Sequence, residues 1–287
     1  MRVFVTGASG FVGSAIVKEL LQAGHQVLGM VRSDTAAATL AQTGAGVHRG
    51  DINDIASVIA GAEKCEAIIH TAFNHDFSRY KESCMEDGQL ILALGEARRP
   101  MIVTSALGLL NNGRTVTEHD VPPPSDQVPR AATEEAARST NAYIVRLPPT
   151  THGEGDHGFV PIIINMAKAK GESVYIGDGS NTWAAVHRFD AAVLYRLILE
   201  KMPTQKVFHP IDEVGVPFKD IATTIGNGLN IPTVSKTGAD AAAHFGWFTH
   251  FAQMGVVSSA EETRRVLGWV PKERGLLEDM VKGGYLK

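Results

Sequence analysis

Cysteine is scarce in this chain of 287 residues: it has two, Cys65 and Cys84. That is too few for a disulfide framework, and their spacing is not that of a metal-ligand motif. Two free thiols suit a reducing compartment. Charge of one sign is lacking as well. The net charge is −4, with no strongly basic run to follow a nucleic-acid backbone. No apolar run is long enough to span a bilayer. The chain opens directly on a strand pattern, without the look of a leader peptide. These absences predict a cytoplasmic protein with a small-molecule substrate, no nucleic-acid or membrane partner, and a monomeric or homodimeric state. At 44% hydrophobic residues, the chain is long enough for one large α/β domain with a modest appendage.

Glycine is not lacking, and its placement is the strongest signal. Residues 2–13 read Arg2-Val-Phe-Val-Thr-Gly-Ala-Ser-Gly-Phe-Val-Gly13. The stretch predicts a buried strand, a tight turn and a helix. Gly7 can take backbone angles that a side chain forbids. Gly10 lets the backbone approach a pyrophosphate, and Gly13 lets the helix pack closely on the strand. Val12, Ile16 and Leu20 recur at helical spacing. The helix start then offers free N–H groups and a positive dipole end to phosphates. Ser9, Phe11 and Val12 join the three glycines as expected cofactor contacts. The competing reading is a glycine-rich turn with no ligand.

Strand and helix patterns alternate along the first two thirds. Strands are expected at 3–6, 26–31, 46–49, 67–70, 101–105 and 142–147, and helices near 14–23, 35–43, 54–61, 80–98 and 130–140. The strands are apolar on both faces, as in a sheet covered on both sides. Repeated βα units predict an α/β fold with a doubly wound parallel sheet, the Rossmann arrangement. Gly24 suits the end of the first helix. A cofactor-binding core is expected over 1–150. Residues 151–287 are expected to return to it at about 186–210 and to form a small, mostly helical substrate lobe from 151–185 and 211–287.

The second strand ends Val31-Arg32-Ser33-Asp34. Dinucleotide sites that select NAD place an acid at this strand end to hold the ribose 2′-hydroxyl. Val31 stands there instead. Arg32 beside Ser33 can bind a 2′-phosphate, so NADP(H) is expected over NAD(H). Alternatively, Arg32 is a solvated loop residue and Asp34 turns inward. Asp51, next to Ile52, can accept from an adenine amino group or cap the helix near Asp54. Thr71-Ala72-Phe73 after the fourth strand leaves room for a ribose.

Taken in order, Thr6–Gly13, Gly50-Asp51, His70-Thr-Ala72, Thr104-Ser105, Arg146-Leu-Pro148, Val186-His-Arg-Phe-Asp190 and Leu267-Gly-Trp-Val-Pro271 resemble the short-chain dehydrogenase/reductase superfamily. The resemblance is to its extended, epimerase/dehydratase-like branch and covers nearly the whole chain. It implies a nicotinamide cofactor, with Thr104, Pro148 and Thr150 among its contacts. It also implies a catalytic serine, matched by Ser105, and a Tyr-x-x-x-Lys pair.

That pair is missing. The helix near 130 reads Pro129-Arg-Ala-Ala-Thr-Glu-Glu135, which puts Arg130 at the tyrosine position and Glu134 at the lysine position. At (i, i+4) the two share a helix face. They form either a surface ion pair of small value or part of the pocket. A guanidinium cannot donate a proton at neutral pH, but it can hold an oxyanion or carboxylate. A proton donor must come from elsewhere. His75, after the fourth strand, titrates in the right range. His152 and His157, in the loop that follows Leu147, are candidate substrate contacts, as are His187 and Trp247 with its neighbour Phe248. Asp190 reads as a possible helix cap. A metal held by His152, Asp156 and His157 is disfavoured, and no metal is expected.

The function expected is an NADP(H)-dependent oxidoreductase for a small or medium carbonyl, alcohol or activated alkene. Its catalytic set is Ser105, Arg130, Glu134 and His75. The alternatives are a non-redox isomerase or lyase on the same scaffold, or a catalytically inactive NADP(H) sensor.

Overall fold

The computed structural model describes residues 1–110 and 114–287. In chain order the first βα units are β1 (Arg2–Thr6), α1 (Phe11–Gln22), β2 (Gln26–Val31), α2 (Asp34–Gln42), β3 (Gly46–Arg49), α3 (Ile55–Ala62), β4 (Ala67–His70), α4 (Tyr80–Gly95), β5 (Met101–Ala106), α5 (Ala131–Ser139) and β6 (Tyr143–Leu147). Beyond these come β7 (Thr150–His152), α6 (Phe159–Lys170), β8 (Ser173–Ile176), β9 (Thr182–His187), α7 (Arg188–Lys201), β10 (Val207–Phe208), β11 (Glu213–Pro217), α8 (Phe218–Leu229), β12 (Thr233–Lys236), α9 (Gly238–Phe245), α10 (Thr249–Gln253), α11 (Glu261–Leu267) and α12 (Leu276–Lys282).

The main sheet has seven strands in the order β10-β6-β5-β4-β1-β2-β3. Its pairings are parallel throughout. Side chains alternate between its two covered faces. Val3, Val5 and Ile69 pack into one core, while Phe4 and Ile68 pack into the other. That double burial is why the strands read as continuous apolar runs. The order reverses between β1 and β4, and the crevice beyond their C-terminal ends is where such sheets bind ligands. Gly24, at φ +83°, ends α1 as expected: its N–H reaches Leu21 O, and His25 N reaches Leu20 O at 2.9 Å.

A third core, built around Trp183, Phe218, Phe245 and Phe248, fills the remaining part. The C-terminal region is mostly helical, as its pattern predicts, with α6, α8, α9, α10, α11 and α12 in it, and short strands are added to these helices. β9 pairs with β7 and β11, and β12 pairs with β8. These strands are short and flanked by Gly, Pro and Asn. Pairing with partners distant in sequence makes them strands, a contribution that local pattern does not contain.

Candidate active site

The glycine turn is built as its sequence requires. Gly7 sits at φ +67°, and its carbonyl accepts from Gly10 N at 2.8 Å. A Cβ on Gly13 would lie 2.0 Å from Gly7 O, and one on Gly7 would lie 2.7 Å from Thr71 Oγ1. Both glycines therefore let three backbone segments meet. Gly10 differs: a Cβ there would meet Gly7 O at 3.1 Å and nothing else nearby. Its free side is open above the turn. No side chain caps α1, and no acid stands in its first turn. The first N–H groups of the helix, at Phe11, Val12 and Gly13, have no intrahelical acceptors. The turn fits the pyrophosphate of a dinucleotide. Thr6 and Thr71 brace it from below, with Thr71 Oγ1 donating to Thr6 O at 2.7 Å and the amides of Thr71 and Ala72 donating to Thr6 Oγ1.

Beside the turn, at the C-terminal ends of β4 and β5, the structure gathers Phe73, His75, Thr104 and Arg130. The Arg130 guanidinium lies 3.7 Å from the Phe73 ring centroid and donates to Thr104 O at 3.3 Å. Its other terminal nitrogen bonds Asp87 at 2.7 Å and Thr133 Oγ1 at 2.6 Å. Asp87, buried on α4, also bonds His70 Nε2 at 2.9 Å and accepts from Thr133. The chain of contacts continues from His70 Nδ1 to Thr6 Oγ1 at 2.8 Å. Burial raises the Asp87 pKa, but Arg130, His70 and Thr133 more than offset that, and it falls to about 2. Asp87 is therefore a fixed anion that holds a fixed cation under the cleft. His75 lies on the exposed rim, edge-on to Phe73 with centroids 5.3 Å apart. Desolvation, followed by the neighbouring Arg130 charge, lowers its pKa, so it is neutral at pH 7.

Arg130 and Glu134 do not pair with each other, so the (i, i+4) ion pair is corrected. Glu134 is buried and takes Arg146 Nε and Nη2 in a two-point contact, each at 2.8 Å. It also accepts from Ser105 Oγ at 2.8 Å. Burial raises the Glu134 pKa, but hydrogen bonding and charge from Arg146 outweigh it and lower it. Ser105 is buried with its hydroxyl committed to Glu134, not open to a substrate. Arg146 continues inward to Asp120 O at 2.8 Å and His209 Nε2 at 3.3 Å. The family's lysine position is thus occupied by half of a buried ion pair.

At the far end of the cleft, Arg32 is exposed at the end of β2, with no ion-pair partner among the described residues. Asp34 does not turn inward, because its carboxylate pairs outward with Arg49 at 3.1 Å. The Ser33 hydroxyl caps α2, accepting from Ala36 N at 3.2 Å. Asp51 does not cap α3. It accepts from Asn53 N at 2.9 Å, while Asp54 is the cap. Ile52 lines a narrow crevice with Asn53, Asn74 and Asp87.

The loop after β6 is less open than its sequence suggests. Pro148 is buried. Thr150 is buried, and its hydroxyl donates to Ala184 O at 2.7 Å. His152 is buried and held by Asp279 at 2.9 Å. His187 lies against it and caps α7, accepting from Phe189 N. Burial and then His152 lower its pKa to about 4. Asp190 caps nothing; its carboxylate takes the amides of Lys272 and Glu273. Trp247 is 59% exposed and touches Phe248, which belongs to the third core and forms no substrate wall. His157 does reach the cleft, edge-on to Phe11.

Reasoning from sequence missed Asp87, His70, Thr133 and Arg146 as parts of the site. Two of them carried a signal. Asp87 falls at the helical spacing of buried Cys84 and Ile91, and Arg146 interrupts the apolar run of β6. A charge at a core position must find a partner.

Residues 3–88 match the model of the NAD-dependent epimerase/dehydratase family. An uncharacterised protein of Schizosaccharomyces pombe is 45% identical over 99% of this chain and 100% of its own length. A 2-alkyl-3-oxoalkanoate reductase of Stenotrophomonas maltophilia is 25% identical over 82% of this chain and 78% of its own. Among solved structures, the dTDP-glucose 4,6-dehydratase DesIV of Streptomyces venezuelae, with NAD and TYD bound, aligns with a TM-score of 0.78. It is 18% identical over 99% of this chain and 95% of its own.

Proposed function

The chain belongs to the NAD-dependent epimerase/dehydratase family, and we propose that it is an NADP(H)-dependent oxidoreductase for a small or medium carbonyl compound or the matching alcohol. The observation that carries this reading is Arg130. It is fixed by Asp87, Thr133 and Thr104 at the position where the family's pattern has a tyrosine. A hydride delivered to a carbonyl carbon leaves negative charge on the oxygen. A prepositioned guanidinium stabilises that charge without reorganising. Because Arg130 keeps its proton and His75 is neutral at pH 7, the alkoxide takes its proton from water at the rim. Ser105 and Glu134 face Arg146 rather than Arg130 and hold the buried floor of the site. The name of the Stenotrophomonas relative, a 3-oxoalkanoate reductase, supports a ketone substrate. The free Arg32, with Asp34 turned away, supports NADPH as the reductant.

The nicotinamide supplies the hydride when bound. The residues that would hold the cofactor are Gly7–Gly13 at the pyrophosphate, Arg32 at the 2′-phosphate, Asp51 and Ile52 at the adenine, and Thr71–Phe73 at the ribose. The test is NADPH oxidation, followed at 340 nm, across a panel of 3-oxo acids, simple ketones and aldehydes. Turnover of at least one ketone that falls by about 10²-fold or more in Arg130→Met supports the reading, in line with the loss of one oxyanion donor. Tight NADPH binding with no turnover across the panel would leave the non-redox and sensor alternatives in its place.

A further inference from the structure

Arg188, the first residue of α7, is a cation without an anion. No carboxylate of the described residues pairs with it. Its Nε is buried and has no hydrogen-bond partner. The guanidinium lies between two aromatic rings, 4.9 Å from the Phe11 centroid and 4.9 Å from that of Phe189. Ring faces hold a guanidinium in place, but they offer no lone pair to its N–H groups. Other buried or half-buried charges nearby are answered: Asp87 by Arg130, Glu134 by Arg146 and Asp279 by His152, and Asp156 through hydrogen bonds from Gly158 N and Tyr285. A charge that a protein leaves unanswered in a partly dry place is costly unless a ligand answers it.

The surroundings point the same way. Phe11 directly follows Gly10 and opens α1, so Arg188 packs on the first side chain after the glycine turn. α1 and α7 pack side by side, and both begin at this end of the sheet. His157 meets the Phe11 ring with centroids 5.9 Å apart. Gly153 and Gly155, at φ +141° and +81°, keep the flank of Arg188 clear. A Cβ on Gly153 would press on Arg188 Cγ at 3.1 Å.

We propose that Arg188 is an anion-binding residue at the mouth of the cleft, taking a phosphate or carboxylate through its forked N–H groups. This rests on the dinucleotide reading for where the ligand lies. The anion is either the pyrophosphate of the cofactor or an acidic group on the substrate. A fork that bonds two oxygens at once is a property of arginine and not of lysine.

The test uses the full chain, Arg188→Gln and Arg188→Lys, with thermal unfolding as a check on the fold. Two titrations are made by calorimetry: NADPH into free protein, and inorganic phosphate into free and NADPH-saturated protein. If Arg188 holds the cofactor, Arg188→Gln weakens NADPH about tenfold or more, and phosphate binds the free protein alone. If it holds the substrate's acid, NADPH affinity changes less than twofold, and phosphate binds the saturated wild type but not the Gln variant. Under either outcome Arg188→Lys lies between the two. Unchanged NADPH and phosphate binding in both variants would overturn the proposal. So would a loss of binding that accompanies an equal drop in unfolding temperature for Gln and Lys. Should NADPH fail to bind the wild type, the dinucleotide reading falls, while phosphate binding to the free protein still decides the role of Arg188.

Discussion

At the residue scale the site is an arrangement of paired charges with a few left unpaired, and the two kinds answer mutation differently. Arg32 is unpaired. Arg32→Ala is expected to weaken NADPH by about 1–3 kcal/mol, the worth of a hydrogen bond to a charged group, and to leave NADH nearly unchanged. Parallel fluorescence titrations check this, and equal losses for both nucleotides would remove Arg32 as the discriminator. Arg130 is paired, and its removal takes the permanent counter-charge from Asp87, whose side chain is 5% exposed and keeps only His70 and Thr133. Arg130→Met should therefore cost about 3–5 kcal/mol of stability. The double variant Arg130→Met/Asp87→Leu should cost clearly less than the sum of the single changes. Urea unfolding of the four proteins gives the coupling; additivity would mean that the pair is not coupled. Sequence spacing placed Arg130 and Glu134 on one helix face. It did not show that each faces a different partner, because Asp87 and Arg146 come from elements 43 and 12 residues away.

At the element scale, the strand–turn–helix of residues 2–22 separates two roles of glycine. Gly13 serves packing: Gly13→Ala would push a Cβ to 2.0 Å from Gly7 O. It should lower the unfolding temperature and weaken NADPH together. Gly10 serves the ligand. Gly10→Val should fold with an unchanged far-UV spectrum and lose NADPH binding, because its open side is where a pyrophosphate lies. Calorimetry beside a thermal melt distinguishes the two variants. A Gly10→Val protein that binds NADPH normally would place the dinucleotide elsewhere. This element was legible in full, since its strand, turn and helix are neighbours in sequence. The short strands β7, β8, β9, β11 and β12 were not, since each exists through a partner far along the chain.

On the scale of the whole molecule, one buried polar line joins the sheet to the C-terminal segment. It runs from Ser105 through Glu134 and Arg146 to His209, which meets Ser258 Oγ at 3.0 Å and Ser259 O at 3.0 Å. Burial and then the Arg146 charge lower the His209 pKa from 6.5 to about 3. The unfolded chain then binds the proton more readily than the folded one. Stability is held above about pH 6.5 and lost as the pH falls from there toward 3. The loss is at most about 1.4 kcal/mol per pH unit for one such group. His209→Gln should flatten the stability curve between pH 6 and 4 by about one proton's worth, leaving the share of His187. Urea unfolding at several pH values reads it, and an unchanged slope would show that His209 is protonated in both states. The amino-acid sequence by itself determined the parallel sheet, the glycine turn and the absence of the usual tyrosine and lysine. Apolar periodicity and backbone permissiveness act between near neighbours, so they can be read locally. Only the tertiary structure decided which charges neutralise one another and that Arg188 has no such partner among the described residues. Neutralisation depends on distance through space and on exclusion of water, and both are set only when the chain has closed on itself.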